Sequence, residues 1–272
     1  DIWRMFTDSQ KNLWIGSYDQ GYEVAYNYKR NFNSNNNLQT YMKNKSVFSV
    51  AMGKDNSLWM LTLRDGLYRY DFERQEIQKI NLNQFLTEEK KEQTLANQVF
   101  VDTDNNIWIV TPHNETWLCS YEQNKLQIKK RFNIPMGMSI TQDQDKTIWI
   151  GSASPLVYCI DTNLEMKSIN ILDSNNKFTY TFIPGITPLH NNKIMVSAFA
   201  LPIKLIDKNN HAIEDITISQ EDYKNCIRRS VIIPTTIHED SRHDIWIGTV
   251  SNGLLRYSSA NKKLEPVPGT AC

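Results

Sequence analysis

Five histidines, at positions 113, 190, 211, 238 and 243, are the side chains best suited to proton transfer or metal ligation near neutral pH. His113 stands two residues before Glu115 in Pro112-His113-Asn114-Glu115. With Asp65 it would put a general base beside two carboxylates that could hold a divalent ion. Such chemistry needs a convergent set of titratable groups, and no second histidine accompanies these three. His238 and His243 lie five apart across a polar turn, His-x-x-x-His spacing is absent, and the pair reads as solvated with no metal implied. Cys119, Cys159, Cys226 and Cys272 show no C-x-x-C spacing, so they read as buried free thiols plus one tail residue. One disulfide stays open in an oxidising compartment. Arg228-Arg229 has the charge to grip an acidic sugar but reads first as a solvated pair before a strand. No catalytic residue and no cofactor is assigned.

Composition narrows the partners. Lys+Arg and Asp+Glu both count 30 in 272 residues, so the net charge is zero and there is no electrostatic footprint for nucleic acid or anionic membrane. No run approaches the roughly 18 apolar residues of a membrane helix. The opening residues have neither the basic nor the apolar region of a signal peptide.

The elements that must position any site are set by an internal repeat. Six segments align: 8–16, 53–61, 103–110, 143–151, 190–197 and 240–248, centred on Trp14, Trp59, Trp108, Trp149, Met195 and Trp246. The anchors step by 45, 49, 41, 46 and 51 residues, within the range of about 40–50 for a four-stranded propeller blade. Each copy has an apolar stretch, an Asp/Asn-rich turn suited to left-handed backbone, the strand around the anchor, a third strand and a polar fourth strand. Third strands are read at 66–71, 156–161, 203–207 and 253–257, and fourth strands at 77–80, 126–128, 166–169 and 264–267. A single sheet cannot bury both faces, so neighbouring blades must cover it and the anchors become packing residues between blades. The fold class is therefore all-β, a β-propeller with blades at about 1–44, 45–95, 96–135, 136–182, 183–233 and 234–272. A short surface helix is predicted over 84–95, from its helix-forming, charged composition.

The loops between second and third strands gather on one face of such an array. Tyr18, Arg64, His113, Glu115 and Asn252 fall there, an aromatic surface with hydrogen-bonding groups that fits a sugar and equally an ordinary polar loop set. His190, His238 and His243 fall in or beside the first turn, on the opposite face, and His211 follows a third strand.

The pattern Asp-x-x-x-Asn-Leu-Trp-Ile-Gly-Ser, clearest from Asp240 through Trp246-Ile-Gly-Thr to Asn252-Gly-Leu-Leu-Arg-Tyr257, resembles the two-component regulator propeller repeat over nearly the whole chain. The resemblance implies the periplasmic sensor region of a hybrid two-component system, in which propellers of seven blades precede a β-sandwich, a membrane helix and kinase modules. Many members sense oligosaccharides. Six copies here make either a closed six-bladed ring or a fragment of a larger array. The implied partners are an oligosaccharide, neighbouring sensor domains and a second copy in a homodimer, with no membrane insertion by this segment. Two other readings stay open: a propeller lyase similar to streptogramin-inactivating enzymes, resting on His113, Glu115 and Asp65, and a pure docking scaffold.

Overall fold

The repeat becomes six antiparallel sheets in the computed structural model, which describes residues 36–63, 65–86, 96–172, 181–199, 201–216, 234–250, 253–258, 263–267 and 270, and the backbone alone of 2–7, 13–17 and 21–25. The first sheet holds β1 (Ile2–Thr7), β2 (Leu13–Ser17) and β3 (Gly21–Ala25). After helix α1 (Asn36–Met42) come β4 (Val47–Met52), β5 (Ser57–Thr62), β6 (Gly66–Asp71) and β7 (Glu76–Ile80). The third sheet holds β8 (Gln98–Val101), β9 (Ile107–Val110), β10 (Glu115–Glu122) and β11 (Lys125–Asn133). The fourth holds β12 (Gly137–Gln142), β13 (Ile148–Ser152), β14 (Leu156–Ile160) and β15 (Met166–Asn170). The fifth holds β16 (Gly185–Pro188), β17 (Lys193–Ser197), β18 (Ile203–Asp207) and β19 (Ile213–Ile216). The last holds β20 (Pro234–Glu239), β21 (Ile245–Thr249), β22 (Leu254–Ser258) and β23 (Lys263–Pro266). Strands follow chain order in every sheet.

The chain divides into two compact units, 1–31 with 154–157 and 169–272, and 32–153 with 158–168. Within each, neighbouring sheets approach most closely at their first strands: β4 beside β8 and β8 beside β12 in one unit, β16 beside β20 and β20 beside β1 in the other. This is how propeller blades pack, and the fold is an all-β propeller in which five of the six described sheets are four-stranded.

Strand alternation decides which sheet each side chain reaches. Trp59 and Leu61 of β5 point toward the third sheet, where Ile107 and Ile109 of β9, Trp117 and Cys119 meet them in one core. Met195 of β17 likewise packs with Ile245 and Ile247 of β21. In these two cores the anchor faces the following sheet, and the residues flanking the next anchor, Ile107 and Ile109 or Ile245 and Ile247, face back toward it. Trp59 and Met195, 2% and 0% exposed, lie inside these cores, and Trp108 and Trp149 are as deeply buried at 2% and 3%. Trp246 is partly buried, and the side chain of Trp14 lies outside the described residues. On its other face, the second sheet packs Met60, Tyr68 and Tyr70 against Leu38 and Met42 of α1, a helix that its Asn-rich sequence does not announce. Of the helix expected over 84–95, residues 87–95 lie outside the described residues, and 82–85 form a 3-10 turn in which the Asn81 side chain accepts from the Asn83 N–H.

An indole carries an N–H that must find an acceptor when buried. Trp108, Trp149 and Trp246 donate it to Asp102, Asp143 and Asp240, each six residues earlier, at 2.9, 2.9 and 3.0 Å. The other carboxylate oxygen of each Asp accepts the backbone N–H groups two and four residues on: Asp104 and Asn106, Asp145 and Thr147, Arg242 and Asp244. One carboxylate thus closes the turn and anchors the strand after it. The residue three past each Asp takes left-handed backbone: Asn105 at φ 64°, Lys146 at 65° and His243 at 65°. The fifth copy confirms the logic by losing both partners together. Met195 has no N–H to satisfy, and the residue six before it is the buried apolar Leu189. In the second copy the position is Gly53, where a Cβ would lie 2.3 Å from the Asp55 carboxylate and 2.7 Å from the Ser57 hydroxyl.

Asp102→Ala strands the Trp108 N–H and two turn amides, and should destabilise the fold by about 3 kcal/mol. Asp104→Ala, in the same turn but exposed, should leave the urea midpoint in place. Midpoints measured at unchanged m-value check the pair.

Candidate functional site

The loops between second and third strands rest on a hydroxyl three residues past the anchor. The Thr62 hydroxyl donates to the Gly66 carbonyl at 2.8 Å and accepts from the Asp65 N–H at 3.1 Å. Thr111 donates to the Glu115 carbonyl at 2.6 Å and accepts from the His113 N–H at 3.2 Å, and Thr249 donates to the Gly253 carbonyl at 2.7 Å. The tight corners use left-handed backbone at Gly66 (φ 97°), Asn114 (φ 61°) and Gly253 (φ 63°). Nothing in the turn composition announces this device, although the Ser or Thr is visible at 17, 62, 111, 152 and 249.

Of the five residues proposed for ligand contact, Tyr18, Arg64 and Asn252 lie outside the described residues. His113 is buried, 7% exposed. The Glu115 carboxylate turns back onto its own blade, accepting from the Trp117 indole at 2.8 Å and pairing with Arg131 of β11 at 2.5 Å. Arg131 also donates to the Phe85 carbonyl at 2.9 Å and lies 5.1 Å from the Trp117 ring, so Glu115 finishes a structural cluster.

Asp65 is similarly occupied. It accepts from Lys45, from Lys79 at 2.7 Å and from the Tyr68 hydroxyl at 2.6 Å. The hydrogen bond from Lys45, then those from Lys79 and Tyr68, hold its carboxyl well below the ordinary carboxylate range. The same bond to Asp65 raises both lysines. Burial first, and Asp65 second, raise Tyr68. Among the described residues, His113, Glu115 and Asp65 form no cluster of metal-ligating groups. Cys119 and Cys159 are free and buried, and burial pushes the Cys119 thiol up to about 12, far from a reactive thiolate.

The histidines sort differently from their spacing. His238 sits in β20 opposite Trp246, half-buried rather than fully solvated, and burial lowers its pKa. His243 does not turn toward His238 but stacks on His190, from the fifth sheet, with ring centroids 3.6 Å apart. Glu239 lies between them, bonded to both imidazoles. Linear spacing gave no view of this group, because His190 and His243 come from different sheets.

No family model and no curated protein sequence matches the chain. Solved structures do. Two are of the extracellular domain of one B. thetaiotaomicron protein, described in one case as a one-component and in the other as a hybrid two-component system. They match at 17% and 16% identity with TM-scores of 0.59 and 0.62, over 91% and 95% of this chain but only 32% and 38% of theirs. The chain therefore spans about a third of the length of those domains. A streptogramin B lyase structure matches at 14% identity and TM-score 0.59, over 90% of this chain and 75% of the lyase. At these identities the likeness establishes the propeller fold, one that sensor domains and a lyase share. Among the described residues no helix is long and apolar enough to cross a membrane.

Asp65 has a depressed pKa when folded and an ordinary one, near 3.8, when unfolded. Its contribution is whole above the unfolded value and is lost as pH falls below it. Asp65→Asn should therefore be less stable than the native chain at pH 7, with the gap narrowing as pH falls from roughly 5 and still partly present at about pH 2. Urea midpoints across that range read the effect.

Proposed function

We propose that this chain is a non-enzymatic, extracytoplasmic sensing region of a hybrid two-component regulator, responding to an oligosaccharide through the loops that join second and third strands. One observation carries the reading: the repeat that resembles regulator propellers and the fold likeness to sensor extracellular domains cover nearly the same residues. The occupied state of the candidate carboxylates supports the non-enzymatic part. Asp65 faces two ammonium groups and a phenol, and Glu115 faces a guanidinium and an indole. Cations already neutralise both carboxylates, so a divalent ion would have to displace a lysine or an arginine to use them. In this reading Tyr18 supplies a stacking surface, and Arg64 and Asn252 supply hydrogen bonds. Binding then signals by favouring one arrangement of neighbouring domains over another.

The lyase reading keeps a place because a streptogramin B lyase shares the fold over most of its length. It needs His113 as a base, and His113 is buried, 7% exposed.

Calorimetry with an oligosaccharide panel, on this chain and on a longer protein with the flanking domains, separates the readings. The expected result is saturable binding of one glycan class, weakened about tenfold or more by Tyr18→Ala or Arg64→Ala, with streptogramin B left intact. Streptogramin cleavage abolished by His113→Ala would establish the lyase instead, and absence of glycan binding to either protein would leave the docking scaffold.

A further inference from the structure

On the face away from those loops, the turns between first and second strands of the fifth and sixth sheets meet at His190, Glu239 and His243. The three donor atoms lie within 4.8 Å of one another. Glu239 is the last residue of β20 and its side chain is only 12% exposed, whereas those of His190 and His243 are 38% and 53% exposed and open to solvent. One oxygen of Glu239 meets Nδ1 of His190 and, at 3.3 Å, Nδ1 of His243. Its other oxygen accepts the His190 backbone N–H at 2.9 Å, which fixes the carboxylate. The imidazole rings are stacked at 25° between planes.

The chain contains its own control for this arrangement. The third and fourth sheets are stitched at the same place by Gln142, the residue before Asp143, which accepts the Thr103 N–H at 2.7 Å. Thr103 corresponds to His190, Gln142 to Glu239, and Lys146, at the left-handed position, to His243. The stitch works there without an imidazole or a carboxylate. In the fifth and sixth sheets all three positions carry metal-ligating residues, brought together from two blades that are separate in sequence. Closing the turn does not call for that substitution.

We propose that His190, Glu239 and His243 bind one divalent transition-metal ion, Zn2+ foremost, clamping the fifth sheet to the sixth. Two imidazoles and a carboxylate are a common three-ligand zinc set, with water in the open position. Imidazole suits Zn2+, Cu2+ and Ni2+, while the single carboxylate is too poor a set for Ca2+ or Mg2+. The ion replaces two Nδ1–H bonds to a single oxygen by ligation, and the Glu239 bond to the His190 amide holds the third ligand in place.

The test is titration of the metal-free chain with Zn2+ by calorimetry and with Co2+ by visible absorption. Expected are one saturating equivalent, a tetrahedral Co2+ spectrum with no thiolate charge-transfer band, and a melting temperature raised on the order of 5 °C at a hundredfold excess of Zn2+ over its Kd. His190→Ala, His243→Asn and Glu239→Gln should each weaken binding at least about tenfold. The last two keep the fold readable without metal, since Asn occupies this left-handed position in other copies and Gln142 already makes the stitch. Absence of saturable binding would overturn the site. So would binding unchanged in His243→Asn and Glu239→Gln, or a thiolate band assigning the ion to cysteine.

Discussion

The bond from a buried indole N–H to an aspartate six residues earlier carries much of this structure. Burying a tryptophan between two sheets gains apolar contact only if its single polar group is met, and the same Asp must also satisfy the turn that launches the strand. At Asp102 and Asp143 both carboxylate oxygens are spent inside the protein, and both residues are nearly buried. At Asp240 burial works to raise the pKa, but the Trp246 bond and the two backbone amides outweigh it and leave the carboxyl below its ordinary range.

That economy shapes what the loop face can do. Each loop between second and third strands whose corner is described at Thr62, Thr111 and Thr249 is short, left-handed and tied down by the threonine hydroxyl. Two of the charged groups, Asp65 and Glu115, end in cation clusters of their own blade. A face built in this way suits recognition by pre-set shape, where little ordering entropy is lost on binding.

The opposite face has a different character because its turns touch the next blade. Residues one before and one after the recurrent turn position meet across sheets, as Gln142 meets Thr103 and Glu239 meets His190. Copies of one repeat can therefore hold different chemistry at one geometric point, and the fifth and sixth copies place histidines there.

From the sequence alone came the sheets, their strand order and the anchors, because a repeated Trp and a repeated Asp/Asn turn act locally, within one blade. The Asp-to-indole pairing is also visible as a constant spacing of six, although its meaning depends on the indole being buried. Tertiary structure alone decided which groups remain available. Glu115 and His113 are two residues apart in sequence, yet the fold turns the Glu115 carboxylate onto Arg131 and buries the His113 ring. His190 and His243, separated by a full blade, are stacked because neighbouring sheets bring equivalent turns together. Local pattern follows from the chain's own backbone, but convergence of side chains depends on contacts between sheets, which no spacing along the sequence records.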